Sequence, residues 1–121
     1  MKRPCLLPAV LLAVPAFAAD LPCTTAAPTW DSREVACRVP AAQRYVFTAR
    51  FSGGHDDTMA RLQPQLDGAP IACDAGSKTD LVGEDGDVSL HCAFTVERAA
   101  ELRVTVRWSH AEYTAAALAA R

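Results

Sequence analysis

Hydrophobic and polar residues alternate one by one along three stretches of this 121-residue chain. The stretches are Tyr45–Phe51, Val88–Val96 and Leu102–Trp108. Because successive side chains of a strand point to opposite faces, this alternation predicts strands with one buried and one exposed face. Trp108 is in phase with the apolar positions of its stretch, so we expect it in the core.

Further strands are indicated by turn residues and by β-branched or apolar runs. One is expected over Glu34–Val39, and two more over Met59–Leu66 and Ala69–Cys73. Between the last two lies Asp67–Gly68, a dipeptide that accepts positive φ at both central positions of a hairpin turn. Pro64 has no N–H to donate, so its strand is expected at the edge of a sheet.

Two further segments are assigned from their length and pattern, the link between the last two alternating stretches and the C-terminal segment. Only Glu97–Glu101 separates the last two alternating stretches, a length that suits a hairpin between adjacent antiparallel strands. The C-terminal segment Ala111–Arg121 is rich in alanine, which favours a helix, but its apolar residues also alternate as in a strand. We expect a strand there, since it would complete a seven-stranded sandwich.

These elements predict an all-β chain that folds as an antiparallel β-sandwich of six to seven strands, braced by disulfides. The arrangement is immunoglobulin-like in architecture. The tryptophan that immunoglobulin domains place between two paired cysteines has no counterpart here. The similarity therefore concerns architecture, and architecture does not by itself carry function.

The N-terminus has the three ordered features of a secretory signal peptide. Lys2 and Arg3 precede the apolar run Leu6–Phe17, and Ala16–Ala18 supplies the small-x-small pattern of a cleavage site. The apolar run is too short for a membrane anchor. Cys5 precedes that run, whereas a lipid-anchored cysteine would follow it. Residues 1–18 are thus predicted to be removed on export to the periplasm or the extracellular space, with no membrane anchor.

Removal of this segment would leave about 103 residues, which suits one domain with one modest core. We expect residues 19–42 to form an extended N-terminal arm and the first strand. Residues 43–121 would form the remainder of a single β-sandwich domain.

Removal of Cys5 would leave an even set of four cysteines, which indicates disulfides in an exported chain. Three pairings are possible, and we favour Cys23 with Cys37 and Cys73 with Cys92 because each pair brackets a short polar or turn-rich segment. The spacing does not suit zinc, since no two cysteines are two to four residues apart.

The charge balance constrains the partner. Without Lys2 and Arg3, 10 basic residues face 14 acidic ones, a net charge of −4. Nucleic acids and anionic membranes both require clustered lysine and arginine, so neither is expected as a partner. Another exported protein or a small ligand, basic in character, fits the charge better.

A loop rich in glycine and acidic residues follows the first alternating stretch. Its His55, Asp56 and Asp57 could form part of a ligand or partner site, because loops at strand ends commonly carry binding residues. The alternative is a solvated turn in which an aspartate caps the backbone.

A second acidic segment holds the metal candidates Asp80, Glu84, Asp85 and Asp87. Calcium takes six to eight oxygen ligands, which carboxylates on neighbouring loops could supply. Their spacing does not match the EF-hand loop, so the calcium hypothesis rests on charge density. The alternative is a solvated acidic loop, and no other cofactor is expected.

Trp30 precedes the clear strands in a polar region. It is either a lid that packs over the sandwich or an exposed anchor for a partner. Catalysis is not expected, because no serine lies in a nucleophile-elbow context and no histidine is paired with a nucleophile.

Two functions remain. The first is a small exported binding or interaction protein, an inhibitor or protective partner of another secreted protein. The alternative is a β-sandwich module that binds a cation or a small ligand through its acidic loops.

Overall fold

The computed structural model describes residues 20–26 and 28–121, so the predicted signal peptide lies outside the described residues. The described part contains ten strands and no helix long and apolar enough to cross a membrane. The strands are β1 (Asp20–Leu21), β2 (Cys23–Ala26), β3 (Ser32–Val39), β4 (Arg44–Gly54), β5 (Met59–Leu66), β6 (Ala69–Pro70), β7 (Asp80–Val82), β8 (Gly86–Thr95), β9 (Ala100–Ser109) and β10 (Glu112–Ala120).

The strands form two antiparallel sheets, which confirms the predicted β-sandwich. The four-stranded sheet has the order β1-β10-β4-β8. The six-stranded sheet has the order β2-β3-β9-β5-β6, and the short β7 also pairs with β5. Six of the strands have eight or more residues. These six correspond to six of the predicted strands. The predicted strand Ala69–Cys73 is shorter than expected, because only Ala69–Pro70 pairs with β5, as β6, before the chain leaves the sheet. The short strands β1, β2 and β7 were not predicted as separate elements.

The core lies between the sheets and is filled by the predicted alternate positions. From β4, the side chains of Tyr45, Phe47 and Phe51 are fully buried or nearly so, and β9 contributes a row of aliphatic residues from the opposite sheet. Trp108 is buried as expected. Full burial of one large apolar side chain stabilises the folded state by about 1.5–3 kcal/mol, so this layer is the main source of stability.

The predicted hairpin at Asp67–Gly68 is confirmed. The φ angles of Asp67 and Gly68 are 48° and 86°, and the turn joins β5 to β6. The expectation that Pro64 places β5 at an edge was wrong, because β9 pairs with β5 on one side and β6 and β7 pair with it on the other. Those two short strands pair only with Gln65–Leu66 and Met59–Arg61, so Pro64 lies in the interval between them.

The prediction of a hairpin between Val88–Val96 and Leu102–Trp108 was also wrong. β8 belongs to the four-stranded sheet and β9 to the six-stranded sheet. The connection crosses from one sheet to the other, a distance of about 10 Å that four or five residues can span. Two strands that each bury one apolar face can meet across the core as well as side by side, and alternation does not distinguish these cases.

The C-terminal segment is a strand, as expected. β10 pairs with β4, with a register shift between Tyr113 and Ala115. This bulge moves the inward positions by one residue, so that the buried side chain further along is Leu118. The regular alternation read from the sequence therefore holds only up to Tyr113.

A disulfide-linked segment closes each open side of the sandwich. On one side β1 pairs with β10 and β2 pairs with β3, and the chain changes sheet at Pro22. On the other side residues 71–79 leave the six-stranded sheet, run along β8 and return to form β7. Cys23 is bonded to Cys37 and Cys73 to Cys92, which confirms the predicted pairing. Such bonds are typical of an oxidising compartment outside the cytoplasm.

Candidate functional site

Four connections meet at one end of the sandwich, and we call residues 28–31, 55–58, 83–85 and 110–111 the loop end. Gly83 N–H donates to the Thr58 carbonyl at 2.7 Å and joins two of these connections. Trp108 N–H, near the end of β9, donates to the Asp31 carbonyl at 3.1 Å and ties residues 28–31 to the strand that leads into residues 110–111. The antiparallel topology brings these connections together, although they are up to about eighty residues apart in sequence. The loop end is therefore a continuous surface.

Thr58 holds two connections of the loop end in place, and the sequence analysis did not identify it as a site residue. It is the only polar residue among the described ones that is fully buried. Its hydroxyl donates to the carbonyl of His110 at 2.5 Å and accepts the N–H of His55 at 2.8 Å. The rings of His55 and His110 are consequently 5.7 Å apart, edge to face.

The carboxylates next to Thr58 remain in solvent. Asp56 and Asp57 are exposed, and the backbone N–H of Asp57 donates to Nδ1 of His55 at 3.2 Å. The histidine, not an aspartate side chain, accepts the local backbone bond. The predicted site residues His55, Asp56 and Asp57 thus share one ordered turn with both carboxylates facing outward.

The second acidic segment meets this turn through the backbone. Gly54 pairs with Gly86, and a side-chain carbon at Gly54 would overlap the carbonyl oxygen of Glu84. A glycine is required there because the two chains approach too closely for any side chain. Asp85 and Asp87 are exposed on this segment.

The four metal candidates do not assemble a cation site. Asp80 forms an ion pair with Arg61 at 2.8 Å, and Glu84 forms one with Lys78 at 2.6 Å. Across residues 20–26 and 28–121, no three His, Cys, Asp or Glu side chains lie close enough together to hold a metal ion. Much of the charge density that suggested calcium is therefore matched by neighbouring cations.

Trp30 does not form a lid over the sandwich, since 82% of it is accessible to solvent. Met59 and Val82, exposed to 54% and 69%, pair directly with each other at the start of β5 and the end of β7. Within the described chain these three are the exposed large hydrophobic residues, and all lie at or beside the loop end. The exposure of Met59 and Val82 could have been predicted from the sequence, because both residues stand at outward-facing positions in the alternating pattern of their strands.

Arg33 lies beside the hairpin that carries Trp30 and packs against the aromatic side chains at this end of the core. The guanidinium carbon of Arg33 lies 5.2 Å from the ring centroids of both Trp108 and Tyr113. Its Nη1 donates to the carbonyl oxygens of Thr29 and Ser32. This inward arginine joins the hairpin that carries Trp30 to the aromatic end of the core, in a favourable cation–π arrangement.

Tyr113 lies in the same contact with Arg33, and its hydroxyl has a raised pKa. Burial raises the pKa of its hydroxyl above the ordinary 10.0, and the nearby Arg33 guanidinium opposes that rise. Burial has the larger effect because it penalises the phenolate, the charged form.

Two shallow cavities open near the loop end, one on the outer face of each sheet. The first, of about 450 Å³, is lined by polar residues of the four-stranded sheet, among them Arg50, Asp87 and Thr114. The second, of about 410 Å³, lies on the six-stranded sheet around Met59, Val82 and Arg107. Sequence reasoning did not identify the second, because its walls come from three strands that are distant along the chain.

Several solved structures are remotely similar to this chain, among them a carbohydrate-binding module and a PA14 domain. No family model and no curated protein matches the chain. A carbohydrate-binding module of Cellvibrio mixtus lichenase 5A, solved with cellotriose, is 6% identical, with a TM-score of 0.42 over 88% of this chain and 91% of that one. The PA14 domain of the antifreeze protein MpAFP is 11% identical, with a TM-score of 0.33 over 84% of this chain. The chain spans 60% of that second structure.

Proposed function

We propose that this chain is a small exported binding module whose loop end contacts another exported protein. The observation that carries the proposal is the position of Trp30, Met59 and Val82, the exposed large hydrophobic residues of the described chain, at one end of the sandwich. Clustered apolar residues with a polar rim mark interaction surfaces, and tryptophan is the residue most enriched at binding hot spots.

The rim of the loop end indicates the charge of the partner. Asp56, Asp57 and Asp85 are exposed and form no ion pair with any residue that the structure describes. Acidic side chains around an apolar centre favour a partner with lysine or arginine at the matching positions. We therefore propose a basic surface on the partner, with association that slows as salt is added.

Rigidity of the loop end favours binding without a large ordering cost. Thr58 ties two of the four connections together, and Arg33 ties the Trp30 hairpin to the core. A surface that is ordered before contact loses less conformational entropy on association. The proposed role is binding and not catalysis, and the module would inhibit or protect its partner by covering part of that protein's surface.

The experiment compares three forms of the protein as bait against the exported fraction of its own cells. The forms are the wild type, Trp30→Ala and the control Arg98→Ala, which changes an exposed residue at the opposite end of the sandwich. Because Trp30 is 82% exposed, its replacement should change the free energy of unfolding by no more than about 0.5 kcal/mol.

A protein retained by the wild type and by Arg98→Ala, but lost with Trp30→Ala, is the expected result. Binding of that protein should then weaken by at least 2 kcal/mol, about thirtyfold, with Trp30→Ala. Equal retention by all three forms, or retention of nothing by the wild type, would count against the proposal. In a purified pair, Asp56→Asn with Asp57→Asn should lower the association rate at low salt, and Glu97→Gln at the opposite end should not.

A further inference from the structure

The second cavity adjoins the loop end and shares the exposed Met59 and Val82 with the apolar patch there, but it also contains two arginines; we call it the Met59 groove. It lies on the outer face of the six-stranded sheet. Its outward side chains are those of Met59, Arg61, Asp80, Val82, Arg107 and Ser109. Its volume of about 410 Å³ falls within the usual range for small-molecule sites, about 300–1,000 Å³.

Strand register arranges these side chains in two rows. Val82, Met59 and Ser109 lie side by side across β7, β5 and β9, and the first two give an apolar row. Asp80, Arg61 and Arg107 form the next row. The groove is thus apolar at the corner formed by Val82 and Met59, and it is charged at the diagonally opposite corner, where Arg107 lies.

The charged row has one more cation than it has anions. Arg61 and Arg107 are directly opposite each other on neighbouring strands, where like charges repel. Arg61 is paired with Asp80 at 2.8 Å. Arg107 has no ion pair among the described residues, and Glu34, the nearest acidic residue on β3, is held by Arg103 at 3.5 Å.

We propose that the Met59 groove binds a small aliphatic carboxylate. Its carboxylate is received by Arg107, and its hydrocarbon chain lies over Met59 and Val82. The planar guanidinium offers two parallel N–H donors to a carboxylate, which makes arginine the preferred partner for this group. Exposed apolar side chains next to an uncompensated cation match a ligand that combines these two properties.

The dimensions suit a chain of about eight carbons. Arg107 and Val82 are two strands apart, roughly 10 Å in the direction across the strands. An extended octanoate has a comparable length, so it can reach from the guanidinium to the far side of Val82. The ligand would shield both apolar side chains from water.

This inference goes beyond the proposed function, because a small molecule and not a protein occupies the groove. The two can fail separately. Trp30→Ala should abolish capture of the protein partner and leave octanoate binding unchanged, whereas Arg107→Gln should weaken octanoate binding and leave the bait active.

The test is a titration of the full protein, followed by NMR or calorimetry, with three probes of equal chain length. Octanoate, 1-octanol and octylamine differ only in the head group, and each is used where it stays monomeric. Octanoate should bind saturably, with an affinity at least tenfold higher than that of octanol or octylamine. The matched variants are Arg107→Gln in the groove and Arg38→Gln, an exposed arginine at the opposite end of β3.

Arg107→Gln should lower octanoate affinity about tenfold, and Arg38→Gln should not change it. Asp80→Asn should raise the affinity severalfold, because it releases Arg61 and removes a repelling carboxylate. A gain of affinity cannot come from damage to the fold, so this variant keeps the proposal testable if Arg107→Gln folds poorly. Equal binding of the three probes, absence of saturable octanoate binding, or loss of affinity with Asp80→Asn would overturn the proposal.

Discussion

The hydroxyl of Thr58 donates a hydrogen bond to the carbonyl oxygen of His110, a residue 52 positions further along the chain. Thr58 is fully buried, and its hydroxyl also accepts the backbone N–H of His55. One side chain thereby satisfies backbone groups of two connections, the one from β4 to β5 and the one from β9 to β10. Each of these connections passes from one sheet to the other. The surface proposed to bind a partner depends on this bond for its shape.

Replacement of Thr58 by valine should lower the free energy of unfolding by about 1–3 kcal/mol. Valine has nearly the same shape but removes the hydroxyl, so that the partly buried His110 carbonyl and His55 N–H lose their hydrogen-bond partner. Chemical denaturation measures the change. Thr58→Ser is the matched control, since it keeps the hydroxyl and should cost less than Thr58→Val; equal losses would show that the hydrogen bonds contribute little.

Gly54→Ala should destabilise the protein more than Gly53→Ala. A methyl group at Gly54 would overlap the backbone of Glu84 and approach the Gly86 carbonyl to 3.0 Å, so the two acidic connections must separate. Overpacking of this kind costs about 1–3 kcal/mol. Gly53 has φ of 71° with open space around it, so alanine there should cost only about 1–2 kcal/mol of backbone strain. Midpoints of thermal or urea unfolding would rank the two variants, and the reverse order would contradict the close approach.

Stability should fall above pH 10 in a way that depends on Tyr113. Burial raises the pKa of this phenol in the folded state above the ordinary 10.0. The unfolded chain therefore loses the proton first, so the stabilisation is fully present below pH 10 and is lost as the pH rises through the folded-state pKa. Unfolding free energies measured between pH 9 and pH 11 should decline less steeply for Tyr113→Phe than for the wild type.

A substitution at Arg33 provides a second test of the pKa of Tyr113. Its guanidinium lowers the pKa of Tyr113 against the larger effect of burial, so Arg33→Met should raise that pKa further. Ultraviolet titration of tyrosine ionisation would measure the shift, with Tyr113→Phe used to assign the signal. A pKa that falls or stays unchanged in Arg33→Met would contradict the contact.

Removal of either disulfide should lower the free energy of unfolding by about 3 kcal/mol, because the loops they close span 14 and 19 residues.

Replacement of Cys73 and Cys92 by alanine should also increase aggregation. It releases residues 71–79 from β8 and uncovers the edge of the four-stranded sheet, and exposed edges promote aggregation. Denaturation curves and light scattering would compare it with the Cys23→Ala, Cys37→Ala double variant. Equal aggregation of the two would argue that the segment does not protect the edge.

The sequence determined by itself where the six long strands lie and, up to the bulge after Tyr113, which of their faces are buried. Alternation is a local property, so Tyr45–Phe51 and Leu102–Trp108 could be assigned without knowledge of their neighbours. The Asp67–Gly68 turn and the pairing of the four cysteines were likewise accessible, because each depends on backbone preferences or on short spacing. The exposure of Trp30 was one of two alternatives that the sequence left open.

Only the tertiary structure decided which strands share a sheet and which loops meet. β8 and β9 have the pattern of hairpin partners but lie in different sheets, since each strand buries its apolar face in the core whether or not the two strands share a sheet. The ion pair of Asp80 with Arg61 and the bond from Thr58 to His110 join residues that are 19 and 52 positions apart. That Arg107 has no ion pair among the described residues likewise follows from the register of the strands around it. Charge and hydrophobicity along a chain show what a side chain can do, but its partners depend on the packing of the whole sandwich.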